Sequence, residues 1–373
     1  MDVRVVGAGP AGLMAAEVLS AGGAKVTIVD HHRSPARKFL LAGRGGLNLT
    51  NAEPMDRFLT RYGESRSLLE AALREYPPVS VVEWCEKLGM PTFTGSSGRI
   101  FPKCMKASPV LRAWLRRLEE QGVQLESASA WNGFDGVPTI LAMGGASWPE
   151  LGSDAAWVPL FEKAGVKVNP FVPANGRQLV PWTEHFSSRH AGQPLKNVTV
   201  TVAGHTSRGE LIISRDGLEG GAIYALSGLL RQASQITIDL KPDLSIEEIN
   251  TRFSWPRGKE SRSNYLRKRF GLTPAAISLM YEAKAESPKS VVLSTTGPAD
   301  IRRAISSAGG VAWDEIDENF RLKKFPHVFV VGEMLEWDAP TGGYLLQACF
   351  STAVKAARAM LDYSSTPTRN STA

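Results

Sequence analysis

The residues with the clearest chemistry lie near the N-terminus, where Gly7, Gly9 and Gly12 form the pattern G-x-G-x-x-G. The apolar run "VRVVG" that leads into them is typical of a buried parallel strand, and the apolar residues after them repeat at helical spacing. A second apolar run, "AKVTIVD", ends in Asp30, where a dinucleotide-binding fold needs an acid for a ribose hydroxyl. The order strand, glycines, helix, strand and acid therefore predicts a dinucleotide site. An ordinary glycine turn in a βαβ unit is the alternative.

Each glycine of this pattern has its own predicted role. Gly7 allows the tight turn, Gly9 lets the backbone approach a pyrophosphate, and Gly12 lets the helix pack on the strand. The helix N-terminus around Pro10 and Ala11 offers free amides and a positive dipole end to the phosphates.

Two further glycine groups suggest close approach of a ligand. The stretch "AGRGGLNLTN", residues 42–51, fits neither a helix nor a strand, so it is either a linker or backbone pressed against a ligand. The apolar run "PTILAM" ends at Gly144 and Gly145, which is another strand-to-glycine crossing of the kind that lines a nucleotide groove.

Positive charge is concentrated in one stretch. The chain has 43 Lys and Arg against 37 Asp and Glu, a net charge of +6. The basic residues between 252 and 270 are Arg252, Arg257, Lys259, Arg262, Arg267, Lys268 and Arg269. Only one acid, Glu260, lies among them, and Trp255, Tyr265 and Phe270 are interleaved. This pattern predicts a nucleic-acid or polyanion surface, and a solvated helical face with inward aromatics is the alternative.

Composition narrows the class of protein. With 373 residues, 43% of them hydrophobic, the chain can form two or three structural units. No secretory signal or membrane-spanning run is evident, and the odd, scattered cysteines Cys85, Cys104 and Cys349 favour a reducing cytoplasm. No P-loop, zinc spacing or G-x-S-x-G elbow occurs, and the six histidines are interpreted as structural or exposed, so no metal is expected.

The elements that must position these motifs predict an α/β fold with inserted units. A Rossmann-type domain is expected over residues 1–165, a β-rich insert over 166–244, a basic helical insert over 245–290, a return to the first domain over 291–363, and a disordered tail over 364–373. The return contains the apolar strand "HVFVVGE" and the long helix after "PTGG".

Six segments resemble, in the same order, the BaiN-like flavoproteins, also labelled aminoacetone-oxidase-like. They are "GAGPAGL", "RKFLLAGRGGLNLTN", "GRIFPKCMKAS", "ILAMGGASWPELGS", "GELIISRDGLEGGAIYALS", and "GGVAWDEI" through "VVGEMLEWDAPTGGYLLQACFS". The resemblance implies a glutathione-reductase-like domain that binds one FAD, whereas the glycine motif alone does not choose between FAD and NAD. Relatives commonly carry Gly-Gly-Gly-Arg-Cys-Asn in the second segment. Leu47 replaces that cysteine here, so no thiol chemistry is assigned to it.

The resemblance also implies roles along the cofactor. Lys38 and Arg44 would contact the charged phosphates, and Asn48 would contact the polar edges of the flavin. Glu333 would hydrogen-bond the ribityl chain. The helix that starts after "PTGG" would stabilise the negative charge of a reduced flavin. The predicted cofactor-binding residues are Gly7, Gly9, Pro10, Ala11, Gly12, Asp30, Lys38, Arg44, Gly45, Asn48, Gly144, Gly145, Gly332, Glu333, Gly342 and Gly343.

The resemblance leaves the substrate open. Some relatives are associated with reducing a uridine of large-subunit ribosomal RNA to dihydrouridine, others with oxidising small amines. Reducing uracil requires a hydride and a proton, for which Cys104 and Tyr344 are the candidate donors. The basic stretch favours RNA. An oxidase or reductase of a small amine or other small molecule, and a non-catalytic flavin-containing RNA-binding or redox-sensing protein, remain as alternatives, and no electron donor is indicated.

Overall fold

The computed structural model describes residues 1–365 and divides them into two compact units. Unit 1 contains residues 1–172 and 306–365, and unit 2 contains residues 173–305. The strands are β1 (Asp2–Val6), β2 (Lys25–Asp30), β3 (Thr50–Asn51), β4 (Thr92–Thr94), β5 (Arg99–Pro102), β6 (Gln124–Ser127), β7 (Thr139–Leu141), β8 (Val168–Ala174), β9 (Gln178–Leu179), β10 (Pro194–Val202), β11 (His205–Ser214), β12 (Gly217–Glu219), β13 (Gln235–Asp239), β14 (Val291–Ser294), β15 (Gly297–Pro298), β16 (Ser306–Val311) and β17 (Val328–Val330). The helices are α1 (Pro10–Ala21), α2 (Arg37–Ala42), α3 (Met55–Thr60), α4 (Arg66–Glu75), α5 (Pro78–Lys87), α6 (Ala107–Glu120), α7 (Val158–Lys163), α8 (Glu184–His190), α9 (Gly221–Tyr224), α10 (Ser227–Leu230), α11 (Ile246–Ser254), α12 (Arg262–Phe270), α13 (Pro274–Glu282) and α14 (Tyr344–Ser365).

Unit 1 is built on a parallel sheet with strand order β17-β7-β1-β2-β6. Val5 of β1 and Ile140 of β7 are fully buried, as expected for strands covered on both faces. Helices α1 and α14 pack against each other. A Cβ built at Gly12 would lie 1.8 Å from the carbonyl oxygen of Gly7, so only glycine lets α1 come this close to the turn after β1. The predicted α/β fold is confirmed.

A small antiparallel sheet, with order β3-β5-β4, contains the last two residues of the glycine-rich stretch 42–51 as β3. Backbone amides of that stretch donate to this part of the chain: Leu47 N lies 2.9 Å from Met105 O, and Leu49 N lies 2.8 Å from Ile100 O. A Cβ at Gly43 would lie 2.8 Å from the backbone nitrogen of Ala107. Part of the glycine content therefore accommodates the protein's own chain, and the stretch is not a free linker.

Unit 2 is an antiparallel sheet with order β14-β13-β10-β11-β12-β9-β15, packed against helices. Its core joins Val200 and Ile236 of the sheet with Tyr265, Phe270 and Met280 of α12 and α13. The predicted β-rich and helical inserts thus belong to one unit, because the short helices bury their apolar sides on the sheet. The unit continues to residue 305 because β14 returns to pair with β13.

The boundary of the C-terminal tail also differs from the expectation. Helix α14 reaches Ser365, and the rest of the predicted tail, residues 366–373, lies outside the described residues. Within residues 1–365, none of the helices combines the length and the apolar composition that a membrane span requires.

Candidate cofactor site

A cavity of about 320 Å³ lies in unit 1 where β1, β2 and β7 end. The strand order reverses between β1 and β7, which is the place where open parallel sheets bind ligands. The predicted cofactor residues that line the cavity are Gly7, Gly9, Pro10, Ala11, Asp30, Lys38, Gly144 and Glu333. The fold therefore brings together residues that are separated by more than three hundred positions in the chain.

The N-terminus of α1 has the features of a phosphate cradle. Its first turn has no side-chain cap, and Pro10 takes the first helical position. A Cβ built at Gly9 would have no heavy atom within 4 Å, and Gly9 lines the cavity. The missing side chain leaves room for a ligand beside the helix N-terminus, which fits the pyrophosphate of a dinucleotide.

Asp30 is oriented by backbone amides at the end of β2. Its Oδ2 accepts a hydrogen bond from Ala8 N at 2.7 Å, and its Oδ1 accepts one from His32 N at 2.8 Å. A carboxylate oxygen can accept more than one hydrogen bond, so the group keeps acceptor capacity for a ribose hydroxyl. The contact of Asp30 with a ribose hydroxyl stays a prediction.

Lys38 and Glu333 form an ion pair in the cavity wall. Lys38 Nζ lies 2.7 Å from Glu333 Oε2 and 2.6 Å from Ser147 Oγ, and Glu333 Oε1 accepts from Ser307 N at 3.0 Å. Burial raises the pKa of the Cys349 thiol in the same wall to about 12, and the charge of Glu333 adds to that shift. Cys349 is therefore a neutral, unreactive wall residue at physiological pH.

His31, which is exposed as expected, and His32, which is half-buried, also line the cavity. Their rings lie 4.1 Å apart, and Arg37 Nη1 lies 2.8 Å from His32 Nδ1. Burial lowers the pKa of His32, with further lowering from the charges of His31 and Arg37. Their position directly after Asp30, at the carboxyl end of a parallel strand, is the sequence signal for this placement.

Three predicted glycines shape the site without lining it. Gly12 permits the packing of α1 described above. A Cβ at Gly145 would lie 2.0 Å from Ser307 Oγ, and one at Gly332 would lie 2.8 Å from the Cβ of Ala11. Neighbouring protein atoms therefore leave no room for a side chain at these three positions.

The remaining predicted cofactor residues, Arg44, Gly45, Asn48, Gly342 and Gly343, lie near the small sheet and outside this cavity. A Cβ at Gly343 would lie 2.4 Å from the Thr50 backbone, and Asn51 Nδ2 donates to Gly342 O at 3.3 Å. The buried Oδ1 of Asn48 has no hydrogen-bond partner among residues 1–365. A buried acceptor of this kind fits the predicted contact with a polar flavin edge, because unpaired buried polar atoms are costly.

The two candidate proton donors have different surroundings, and neither lines the cavity. The Tyr344 hydroxyl donates to Glu53 Oε1, which Arg61 Nε also contacts at 2.8 Å. Burial raises the pKa of Tyr344, and the hydrogen bond to Glu53 raises it further. Cys104 is exposed, and its Sγ lies 3.5 Å from Lys106 O.

Three of the seven basic residues between 252 and 270 are tied to their own unit. Arg252 Nη1 donates to Arg269 O at 3.0 Å, and Arg262 Nη2 donates to Ala285 O at 2.8 Å. The guanidinium of Arg269 lies 5.0 Å from the ring centre of Trp255. These contacts give the three arginines a structural role in unit 2.

The other four cations are exposed. Lys268 Nζ pairs with Glu260 Oε1 at 2.5 Å, and within residues 1–365 the side chain of Arg267 hydrogen-bonds only to Asn264 Oδ1, at 3.2 Å. The side chains of Arg257 and Lys259 have no hydrogen bond or ion pair within the described part of the chain. Arg257, Lys259 and Arg267 are thus the predicted RNA-binding residues that remain free to meet an anion.

The aromatic residues of the basic stretch are divided in the same way. Tyr265 and Phe270 belong to the core of unit 2, so the alternative of inward-facing aromatics holds for them. Trp255 is 45% exposed.

Among residues 1–365, no three or more His, Cys, Asp or Glu side chains are grouped so that they could hold a metal ion.

The family model described as the HI0933-like protein Rossmann domain matches residues 1–359. The chain belongs to this family. The ribosomal RNA dihydrouridine synthase of Escherichia coli (strain K12) is 24% identical, over 94% of this chain and 96% of the relative. The 3-dehydro-bile acid delta(4,6)-reductase of Clostridium scindens is 25% identical, over 96% and 98%. The open conformation of a flavocytochrome c3 fumarate reductase has a TM-score of 0.54 and 14% identity, with 98% of this chain and 78% of that chain covered.

Family membership confirms the predicted resemblance and the Rossmann-type fold. It also makes the protein an FAD-dependent oxidoreductase. The residues present fit FAD, because the uncapped α1, the open Gly9 position and the acid at the end of β2 meet the needs of its dinucleotide part.

Proposed function

We propose that the protein reduces a uridine of large-subunit ribosomal RNA to dihydrouridine in the cytoplasm. The observation that carries this proposal is the distribution of charge. Residues 173–305 contain 18 Lys and Arg against 12 Asp and Glu, whereas the rest of the chain contains 25 of each. Unit 2 therefore carries the whole net charge, which suits a unit that holds a polyanion.

The phosphates of RNA would interact with the positive charge of unit 2, whereas a small substrate would not need it. Lysine and arginine side chains that neutralise phosphates release counterions, and this release supplies most of the sequence-independent affinity for nucleic acids. The free side chains of Arg257, Lys259 and Arg267 are the proposed phosphate contacts. The full-length relative named a ribosomal RNA dihydrouridine synthase supports the same substrate.

The chain must also supply a proton. Bound and reduced FAD would provide the hydride for the uracil double bond. Of the two candidate donors, Tyr344 has its proton held by Glu53 and its pKa raised, so it is a poor acid near neutral pH. We propose the exposed Cys104 as the proton donor, since its thiol makes only a weak contact with Lys106 O.

The deciding experiment measures dihydrouridine in large-subunit ribosomal RNA from cells with and without the gene. We expect dihydrouridine to disappear on deletion, to return with the wild-type gene, and to stay strongly reduced with Cys104→Ser. Full restoration by Cys104→Ser together with loss in Tyr344→Phe would reverse the assignment of the proton donor. Unchanged dihydrouridine in the deletion strain would refute the RNA substrate.

A reductase of a small molecule is the second candidate, because the bile-acid reductase from Clostridium scindens also matches over nearly its whole length. Anaerobic photoreduction followed by mixing with candidate acceptors, enones and imines of small amines among them, separates the possibilities. Fast reoxidation by a small acceptor, with none by RNA, favours this candidate. A purely binding or sensing protein would show no acceptor-dependent rate.

A further inference from the structure

Strands β4 and β5 of unit 1 carry an exposed aromatic pair. Phe93 and Phe101 lie opposite each other in the register, with ring centres 5.7 Å apart and planes at 26°. Phe93 is 40% exposed, so the outer face of the stacked pair is open to solvent. Single exposed apolar side chains are common, and it is the charge around this ring that indicates a binding surface.

That charge is positive. Residues 92–106 contain Arg99, Lys103 and Lys106 and no acidic residue. Arg99 and Lys103 are exposed, and their side chains have no hydrogen bond or ion pair among residues 1–365. Glu86 accepts a hydrogen bond from Thr92 at 3.2 Å. With Glu86 counted against Arg99, Lys103 and Lys106, the segment still has an excess of positive charge.

The acid on the neighbouring loop does not change this balance. Glu53, which follows β3, already contacts Arg61 at 2.8 Å and Arg57 at 3.2 Å. Its carboxylate also accepts a hydrogen bond from the Tyr344 hydroxyl. Its charge is neutralised within its own cluster, so the surface formed by Phe93, Arg99 and Lys103, called the β4–β5 surface below, stays positive.

The β4–β5 surface adjoins residues that the resemblance assigns to the flavin end of FAD. Arg99 pairs with Asn51 in the sheet, and a Cβ at Gly342 would lie 3.8 Å from Arg99 Nε. A Cβ at Gly46 would lie 3.6 Å from the Phe101 ring. The exposed ring and its cations are therefore next to the segments that contain Asn48 and Gly342.

We propose that the β4–β5 surface holds single-stranded RNA beside the flavin, with one base stacked on Phe93 and adjacent phosphates on Arg99 and Lys103. The inference rests on the proposed function and names further contacts with the same RNA. Phosphate is the complement of an acid-free basic surface, and an exposed aromatic face stacks on a base that has left its helix. A target uridine must be unstacked to be reduced, so a platform at this position has a clear use.

The test uses the FAD-loaded protein and a fluorescein-labelled oligouridylate of about 12 nucleotides, with affinity measured by fluorescence anisotropy. We expect Phe93→Ala to weaken binding about tenfold, since a stacked base contributes that order of affinity. Phe93→Tyr should bind like the wild type, whereas Phe93→Leu, which keeps apolar volume without a ring, should bind like Phe93→Ala. Arg99→Gln and Lys103→Gln should each flatten the slope of log affinity against log salt by about 0.7.

Tyr363→Ala is the matched control, because Tyr363 is a 55% exposed aromatic side chain on α14, outside this surface. It should bind like the wild type, and all variants should be folded and FAD-loaded at the temperature of the titration. Wild-type affinity for Phe93→Ala, or equal affinity for the leucine and tyrosine variants, would overturn the β4–β5 surface while cellular dihydrouridine still supported the proposed function. If the proposed function itself is wrong, the deletion strain will instead have the same dihydrouridine content as the parent strain.

Discussion

Gly9 and Gly12 belong to one sequence motif, but a side chain at each would meet different surroundings. At Gly9 the added carbon would point into open space in the cavity, and at Gly12 it would collide with the Gly7 carbonyl. The fold requires glycine at position 12, and we propose that the cofactor requires it at position 9. The motif alone does not reveal this division, because both roles demand the same residue.

We therefore expect Gly9→Val to give a folded protein without FAD, and Gly12→Val to unfold at a markedly lower temperature. The ratio of flavin to protein absorbance and the melting temperature measure the two effects. Gly221→Val is the control, since Gly221 also starts a helix with no atom near its Cβ position but lies in unit 2. A fully flavinated Gly9→Val protein would show that the pyrophosphate does not approach this backbone.

At the scale of elements, the first turn of α14 is held by side chains from other segments. Tyr62 donates its hydroxyl to Tyr344 O at 2.8 Å, and Thr50 Oγ1 lies 2.7 Å from Gln347 Oε1. Burial opposes the charge of Glu53, but hydrogen bonds from Arg61 and Tyr344 outweigh it and lower the pKa of this carboxyl below 4.5. The folded state therefore favours the charged carboxylate.

The lowered pKa of Glu53 determines the direction in which stability changes with pH. Stability from Glu53 is present above its unfolded pKa of about 4.5 and is lost as the pH falls through the lower folded value. Glu53→Gln should lower the melting temperature at neutral pH and reduce the loss of stability on acidification. Calorimetry from pH about 7 to about 3 measures both effects. Glu64→Gln, at an exposed acid nearby, should leave the curve unchanged, and equal curves for both variants would contradict the role of Glu53.

The elements that could be predicted are those with strong periodicity. The strands ending at Val6 and Asp30 and the helix after Gly343 lie where their apolar patterns indicated. The small sheet of β3, β4 and β5 is too short to show an alternating pattern. The return of Val291–Ser294 to β13 and the position of His31 in the cavity depend on long-range packing, which local spacing does not record.

At the scale of the molecule, the excess positive charge of unit 2 predicts salt-dependent RNA binding with a definite set of residues. The double variant Arg257→Ala, Lys259→Ala should flatten the slope of log affinity against log salt by about 1.4, with an unchanged melting temperature. Arg252→Ala serves as a comparison variant with a structural effect. It should lower the melting temperature, because Arg252 donates a hydrogen bond to Arg269 O. The same oligouridylate titration over several salt concentrations measures the slope. A slope equal to that of the wild type would mean that these two cations do not meet phosphates.

The strand order of the parallel sheet also governs when the protein can acquire its cofactor during synthesis. β1 is synthesised before the other strands of its sheet but lies at the centre of that sheet, and its neighbour β7 begins only at Thr139. β17 and α14, which complete the sheet and cover α1, come from the last part of the described chain. Unit 2 is continuous in sequence and can form earlier, whereas the nucleotide cradle must wait for long-range closure. FAD capture is therefore expected only after β17 has been made, and nascent chains stalled before residue 328 should bind none.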